Sequence, residues 1–437
     1  MRPSVLLLVL ACGVTAFSVA AIALPAIPPL SMAVAWAALC LAVIADAVIT
    51  PGGRRFALHF SGPHEVFVGE AARFTLRLDA SGGRYSVRHA VARLRWPEGM
   101  SRPTDIVLAA QGPSHALADF TARATKRGRW RIAMISVLRA SRLGLIEFIE
   151  NHPQDIEISV VPNIRSITSG ELDTEIASME FGERATSIHG EGSEFHQLRE
   201  FVAGMDTRTI DYKRSARHGA LVARQMQAER NHSIVLALDN GHLMREEVDG
   251  LAKIDHMINA GLALAWAGIL GGDRVGLYAF DARPRLFVPP MDGRRAFAQL
   301  RSHTASLEYR LVETNHTLAL SHLHQRLSRR SLVVVFSDFV DTTTAELLLE
   351  NVQVLNRHHV VIFVTLRDPL LERYHRRQSD NIAMVAETVA AADLERERRR
   401  VLDSLLRLGV FVIETTPGGL RPELLSTYMT IRSRELI

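Results

Sequence analysis

Three hydropathy regimes follow one another along the chain. From Pro3 to Thr50 nearly every side chain is apolar, and no charged residue falls between Arg2 and Asp46. That length is enough to cross a bilayer twice at about 20 residues per helix. The stretch Leu24-Pro25-Ala26-Ile27-Pro28-Pro29-Leu30 divides it, because prolines lack amide donors and clash with the preceding helical turn. The pattern predicts two spans, Pro3–Leu24 and Ser31–Thr50, joined by a tight uncharged turn. The apolar run resumes directly after the prolines, which argues against a cleaved signal peptide.

From Phe56 to Asn163 the period becomes two. Phe74-Thr75-Leu76-Arg77-Leu78, Ala92-Arg93-Leu94-Arg95-Trp96 and Ile156-Glu157-Ile158-Ser159-Val160 alternate apolar and polar positions. Turn clusters such as Ala80-Ser81-Gly82-Gly83 and Lys126-Arg127-Gly128-Arg129 separate them. This predicts a β-rich, sandwich-like domain. Ile164–Gly190 is polar and reads as a connector with some helix. From Asn231 onward, continuous apolar runs alternate with helical spacing: Ser233–Leu238, Arg274–Phe280, Leu332–Phe336, Val360–Thr365 and Val410–Glu414. Strands of this kind between helices predict an α/β domain, Rossmann-like, with a mostly parallel sheet. The expected organisation is 1–55 transmembrane hairpin, 56–163 β-rich domain, 164–230 connector and 231–437 α/β domain.

Charge and cysteine content narrow the chemistry. The 437 residues carry 51 Lys+Arg against 47 Asp+Glu, a net charge of +4 with no dominant basic block, so nothing calls for nucleic acid. Glu395–Arg400 mixes signs and reads as a solvated helix face, and His322 and His324 read as surface residues. Both cysteines, Cys12 and Cys40, lie in the apolar stretch, so the soluble part has no disulfide, zinc–thiolate site or cysteine nucleophile. Arg2 precedes the first span, and Arg54 and Arg55 follow the second. This bias places both ends, and the soluble region, on the cytoplasmic side.

Ligands of open α/β sheets bind at the carboxyl ends of strands. Asp239 and Asp338 end two apolar runs there, and Asp341 follows. Carboxylates with hydroxyls suit a hard divalent cation. This placement, with Gly272-Asp273-Arg274-Val275-Gly276-Leu277, resembles the von Willebrand factor type A fold, whose D-x-S-x-S motif, with a later Thr and Asp, holds a metal ion. Thr314 matches that threonine. Asp239-Asn240-Gly241-His242-Leu243 has Gly and Leu in place of both serines. The site Asp239, Thr314, Asp338 is therefore expected to be degenerate and without metal, with no cofactor needed.

Upstream lies Glu194-Phe195-His196-Gln197-Leu198-Arg199-Glu200-Phe201, then Gly204-Met205-Asp206-Thr207-Arg208-Thr209-Ile210-Asp211-Tyr212, then Ser215-Ala216-Arg217. This closely resembles the signature of the bacterial family called domain of unknown function 58, E-F-x-x-L-R-x-Y, G-D-x-x-R-x-I-D-W and S-A-R. Phe201 and Tyr212 keep aromatic character, and Met205 replaces the first Asp. Glu194, Phe195, Arg199, Asp206, Arg208, Asp211, Tyr212 and Arg217 form either an ion-paired structural motif or a docking surface for an acidic or phosphate-bearing partner.

No G-x-S-x-G, H-E-x-x-H or phosphate-loop signature occurs, so an enzyme is not expected. The resemblance implies a multi-pass protein of the bacterial inner membrane, a non-enzymatic scaffold or adaptor. Its implied partner is a MoxR-type AAA+ ATPase, in complex assembly or chaperone-like work, alongside the lipid bilayer and other membrane-complex subunits. The alternative is a metal-dependent adhesion or sensing module using Mg²⁺ at Asp239 and Asp338. A hydrolase built on the Asp cluster is a third reading.

Overall fold

The computed structural model describes residues 2–23, 28–50, 56–80, 90–101, 105–112, 115–184, 194–202, 207–227, 232–339, 342–367 and 382–437. Contacts divide the chain into two compact units, Met1–Val161 and Pro162–Ile437.

The first unit begins with β1 (Arg2–Pro3) and two apolar helices, α1 (Val5–Ala23) and α2 (Pro29–Ile49). At 1.5 Å per residue they are about 29 and 32 Å long, enough to cross a hydrocarbon core. Most of their side chains are exposed apolar groups. Proline opens α2 at the position where its missing N–H costs nothing.

There follow β2 (Phe56–Ser61), β3 (Glu65–Phe67), β4 (Ala71–Ala80), β5 (Ala90–Leu94), β6 (Ile106–Ala110), β7 (His115–Arg123), β8 (Gly128–Ala140) and β9 (Ile146–Val161). They form a sandwich-like sheet in the order β1-β9-β8-β5-β6-β7-β4-β2, antiparallel throughout, with β3 added parallel to β9. The alternating positions of β4 explain its core: Phe74, Leu76 and Leu78 are all buried. Phe74 stacks on Phe120 at 5.8 Å, and Trp96 meets both rings edge-on.

The second unit starts with α3 (Arg165–Thr168), α4 (Glu171–Arg184), β10 (Glu194–Glu200), α5 (Tyr212–His218) and β11 (Val222–Gln227). Next come β12 (Ser233–Asp239), β13 (Glu247–Val248), β14 (Leu251–Ala252), α6 (Lys253–Leu270), β15 (Arg274–Phe280), β16 (Pro284–Met291), α7 (Gly293–Ala305) and α8 (His316–Arg326). The chain ends with β17 (Leu332–Phe336), α9 (Thr342–Asn356), β18 (Val360–Leu366), α10 (Ile382–Arg407), β19 (Phe411–Thr415) and α11 (Pro417–Ser433).

Six of these strands form a mixed sheet in the order β16-β15-β12-β17-β18-β19. Four pairings are parallel and β16–β15 is antiparallel. Apolar runs alone did not reveal β16. It returns antiparallel because only Asp281–Arg283 separate it from β15, too short for a crossover. At the sheet edge it tolerates Pro289 and Pro290. Gly276 of β15 has no room for a side chain: a Cβ there would press on the Val288 carbonyl and the Pro290 nitrogen.

Two surface assignments are corrected by the packing. His322 stacks on the buried Tyr278 at 5.9 Å. His324 packs against His358 at 5.0 Å and His359 at 5.7 Å. Both are half-buried because α8 lies against β15 and the turn before β18. His359 is buried, and neither ring nitrogen makes a hydrogen bond. Burial pushes its imidazole down to about 4, and His324, His358 and Arg330 add to the shift. In the unfolded chain the same group titrates near 6.5, so between these values the unfolded state binds more protons. Stability therefore falls as pH drops through this window, by about 2 kcal/mol between pH 6 and 4.5. Urea unfolding of the detergent-solubilised chain measures this. His359→Leu should flatten that acid limb, and an unchanged slope would refute the assignment.

Candidate functional site

The candidate site lies at the carboxyl ends of β12, β17, β18 and β19. β12 and β17 are adjacent and parallel, so Asp239 and Asp338 emerge side by side. Both are buried, and each carboxylate has its own set of partners.

Asp239 is held by uncharged donors. Its Oδ1 accepts from the Gly241 amide at 2.8 Å and the Thr314 hydroxyl at 2.6 Å. Its Oδ2 accepts from Ser337 Oγ at 2.6 Å. His316 Nε2 lies 2.9 Å from Ser337 Oγ and 3.5 Å from Asp239 Oδ2. Ser337 gives its proton to Asp239, so its oxygen is free to accept from His316 Nε2. His316 Nδ1 is buried and makes no hydrogen bond. Gly241 makes the cluster fit, because a Cβ there would collide with Thr314 Oγ1. A cavity of about 360 Å³ adjoins the cluster, lined by Glu313, Thr314, His316 and Leu347 among others.

Asp338 is held by cations. Lys253 Nζ, at the start of α6, lies 2.7 Å from its Oδ2 and 2.5 Å from Glu246 Oε2. Arg398 of α10 lies 2.6 Å from its Oδ1. Arg398 also reaches Glu414 at 2.9 Å, Thr365 Oγ1 at 2.6 Å and the Leu366 carbonyl at 3.2 Å, with Phe339 beneath it. One guanidinium thus ties together the ends of β17, β18 and β19. Burial alone would raise the Asp338 carboxyl, but Arg398 and Lys253 overcome it and hold the group below its ordinary range. Burial likewise opposes charge on Lys253, and Asp338 and Glu246 reverse that, so its ammonium stays protonated.

The structure joins Asp239 directly to Thr314, which the family resemblance supplied, while the sequence pattern located Asp239 and Asp338. It missed Lys253, Arg398, Ser337 and His316. Arg398 falls in the mixed-sign run read as a solvated face, and the structure corrects this: its side chain is only 14% exposed. Arg396 and Arg399 of the same run are exposed, as an amphipathic helix requires. The faint signal was Arg398 itself, one turn before the buried Val401 and Leu402. His242, in the variable position of the Asp239–Leu243 segment, is exposed. Among the described residues, no group of three His, Cys, Asp or Glu side chains is arranged to hold a metal ion.

The upstream motif forms a small β-hairpin element within the second unit. β10 and β11 pair antiparallel, from Glu194↔Gln227 to Glu200↔Val222, and bracket α5. Asp211 caps α5 by accepting from the Arg214 amide at 3.1 Å, and its own amide donates to the Val222 carbonyl. Buried Ser215 accepts from the Val222 amide at 2.9 Å and locks the helix to the strand. Tyr212 is 69% exposed and Arg217 is exposed. The side chains of Glu194, Phe195, Arg199 and Arg208, and all of Asp206, lie outside the described residues.

Residues 197–374 match the family model described as "Protein of unknown function DUF58". Uncharacterized proteins of Mycobacterium tuberculosis (Rv1480) and Mycobacterium bovis (Mb1516) are each 24% identical over 190 residues. The alignment covers 43% of this chain and 59% of each relative, so the chain spans less than two thirds of their length. Among solved structures, the conserved hypothetical protein BatB from Bacteroides thetaiotaomicron is similar at 11% identity, with TM-score 0.31, over 46% of this chain and 99% of that one. An uncharacterized membrane-spanning protein from Vibrio fischeri is similar at 15% identity, with TM-score 0.17, over 47% of this chain and 99% of that one.

Proposed function

We propose that this chain is a membrane-anchored, non-enzymatic scaffold or adaptor of the domain of unknown function 58 family. In this reading its second unit is a degenerate von Willebrand factor type A-like domain with a mostly parallel, Rossmann-like sheet. The observation that carries it is the occupation of Asp338 by Lys253 and Arg398, at 2.7 and 2.6 Å. An internal ammonium and guanidinium neutralise the carboxylate that a metal-dependent relative would keep open. Gly241 stands where the metal motif has its first serine, and Thr314 fills that space to reach Asp239 directly. Such a crevice supports recognition through a permanent, metal-free surface. Exposed Tyr212, Val202 and Leu221 on the upstream motif add apolar contact area.

α1 and α2 form the multi-pass anchor in a bacterial inner membrane, with the soluble units in the cytoplasm, following the arginine bias at the hairpin's ends. A MoxR-type AAA+ ATPase is the proposed partner, in complex assembly or chaperone-like work. Mixing the detergent-solubilised chain with that ATPase and nucleotide is expected to give a co-eluting complex; separate elution would overturn the reading. One observation favours a metal-dependent module instead: Asp239 and Thr314 do come together, as a metal site needs. Mg²⁺ at 100 times its dissociation constant would then stabilise the fold by about 2–3 kcal/mol. The scaffold reading expects no shift in the same melt.

A further inference from the structure

The turn Ser141–Leu145, between β8 and β9, lies against both apolar helices. Leu143 and Leu145 donate their amides to Asp46 Oδ1 at 2.9 Å and Oδ2 at 3.2 Å, and Ser141 Oγ donates to the same carboxylate. The Arg142 amide donates to Thr50 Oγ1 at 3.1 Å. Just before α1, the Ser4 amide donates to the Leu145 carbonyl at 3.1 Å, and a Cβ on Gly144 would meet Leu6 Cδ2 of α1. Leu145, Ile146 and Phe148 pack on Leu7, Ala42, Val43 and Ala47. The hairpin is thus joined to the sheet at its open end.

These contacts order the turn along the helix axis. Arg142 sits level with Thr50, just past the end of α2. Leu143 sits level with Asp46, about 5 Å inside that end at 1.5 Å per residue. Leu143 is 55% exposed and Arg142 is exposed, while Leu145 and Ile146 beside them are buried. An apolar side chain at the depth of the last helical turn, with a cation one step outward, is the arrangement of a residue pair at a bilayer interface.

We propose that the Ser141–Leu145 turn is a lipid-contacting element of the β-rich domain. Leu143 enters the outer acyl region and Arg142 meets headgroup phosphates. The sheet is therefore held at the bilayer surface by a fixed clasp and does not hang from a tether. This inference rests on the membrane-anchor reading of α1 and α2.

The test uses the full chain in nanodiscs of mixed zwitterionic and anionic phospholipid, with nitroxide labels and collision by oxygen or a water-soluble nickel chelate. Leu143→Cys and Val107→Cys are placed in a Cys12→Ala, Cys40→Ala background. Native Cys40, exposed on α2, is labelled in Cys12→Ala. Val107 is 70% exposed on β6, three strands from β9. Oxygen should dominate at 40 and 143, and the nickel chelate at 107. Nickel access at 40 would remove the anchor reading and this proposal with it. Oxygen dominance at 40 with nickel access at 143 would overturn the proposal alone, and so would oxygen dominance at 107. Arg142→Glu should shift the reading at 143 toward water, and no shift would remove the arginine's role.

Discussion

Replacing Asp338 with alanine is expected to lower stability by about 3–5 kcal/mol, the scale for breaking a buried ion pair by removing one partner. The loss is large because two cations remain. Among the described residues, the half-exposed Glu246 is then the one carboxylate beside Lys253 and Glu414 the one beside Arg398, whose remaining contacts, Thr365 and the Leu366 carbonyl among them, are uncharged. The ends of β17, β18 and β19 also lose the carboxylate on which Arg398 is oriented. Urea unfolding of the solubilised chain reads the effect, and a loss below about 1 kcal/mol would show that the ion pairs do not close the crevice. Combining Asp338→Leu with Lys253→Met and Arg398→Met should recover much of the loss, because apolar groups of similar volume often replace a buried ion pair or triad without cost. The native carboxyl is held below its ordinary range. Its contribution is therefore complete at neutral pH and is lost only as pH falls below about 3.9, a window separate from that of His359.

Asp46→Ala is expected to release the clasp between the hairpin and the sheet. The carboxylate accepts from Ser141, Leu143, Leu145 and Thr50. Hydrogen bonds to a charged group contribute about 1.5–3 kcal/mol each, and donors stranded away from water cost a similar amount. Partial repair by solvent leaves a local loss of about 3 kcal/mol. Amide exchange at Leu143 and Leu145 should therefore quicken about a hundredfold. The amides of β4, far along the sheet order, should keep their protection. Equal protection at Leu143 and Leu145 in both proteins would refute the clasp. General loss of protection, including β4, would mean that Asp46 supports the whole unit.

Much of the architecture was legible because the relevant signals are periodic and local. The prolines at 25, 28 and 29 divide the hairpin whatever the rest of the chain does. The 3.6-residue spacing of Lys253–Leu270 marks α6 to its ends, and Ser233–Leu238 and Leu332–Phe336 mark two neighbouring parallel strands. The strand-end rule singles out Asp239 and Asp338 without reference to any contact. Side-chain partners were much less legible. Arg398 and Asp338 are 60 residues apart, and Lys253 and Asp338 are 85 apart. A charge run such as Glu395–Arg400 does not announce which member faces inward.

The sequence by itself determined the apolar hairpin, the alternation that makes a β-rich domain and the strands that bring two carboxylates to one sheet end. These follow from spacing, which each segment carries alone. Only the tertiary structure decided what those carboxylates hold. It placed Thr314 on Asp239, put Lys253 and Arg398 on Asp338, and bound Asp46 to a turn nearly a hundred residues away. The reason is physical: a buried charge must find a partner somewhere in the fold, and only the path of the whole chain determines which group arrives.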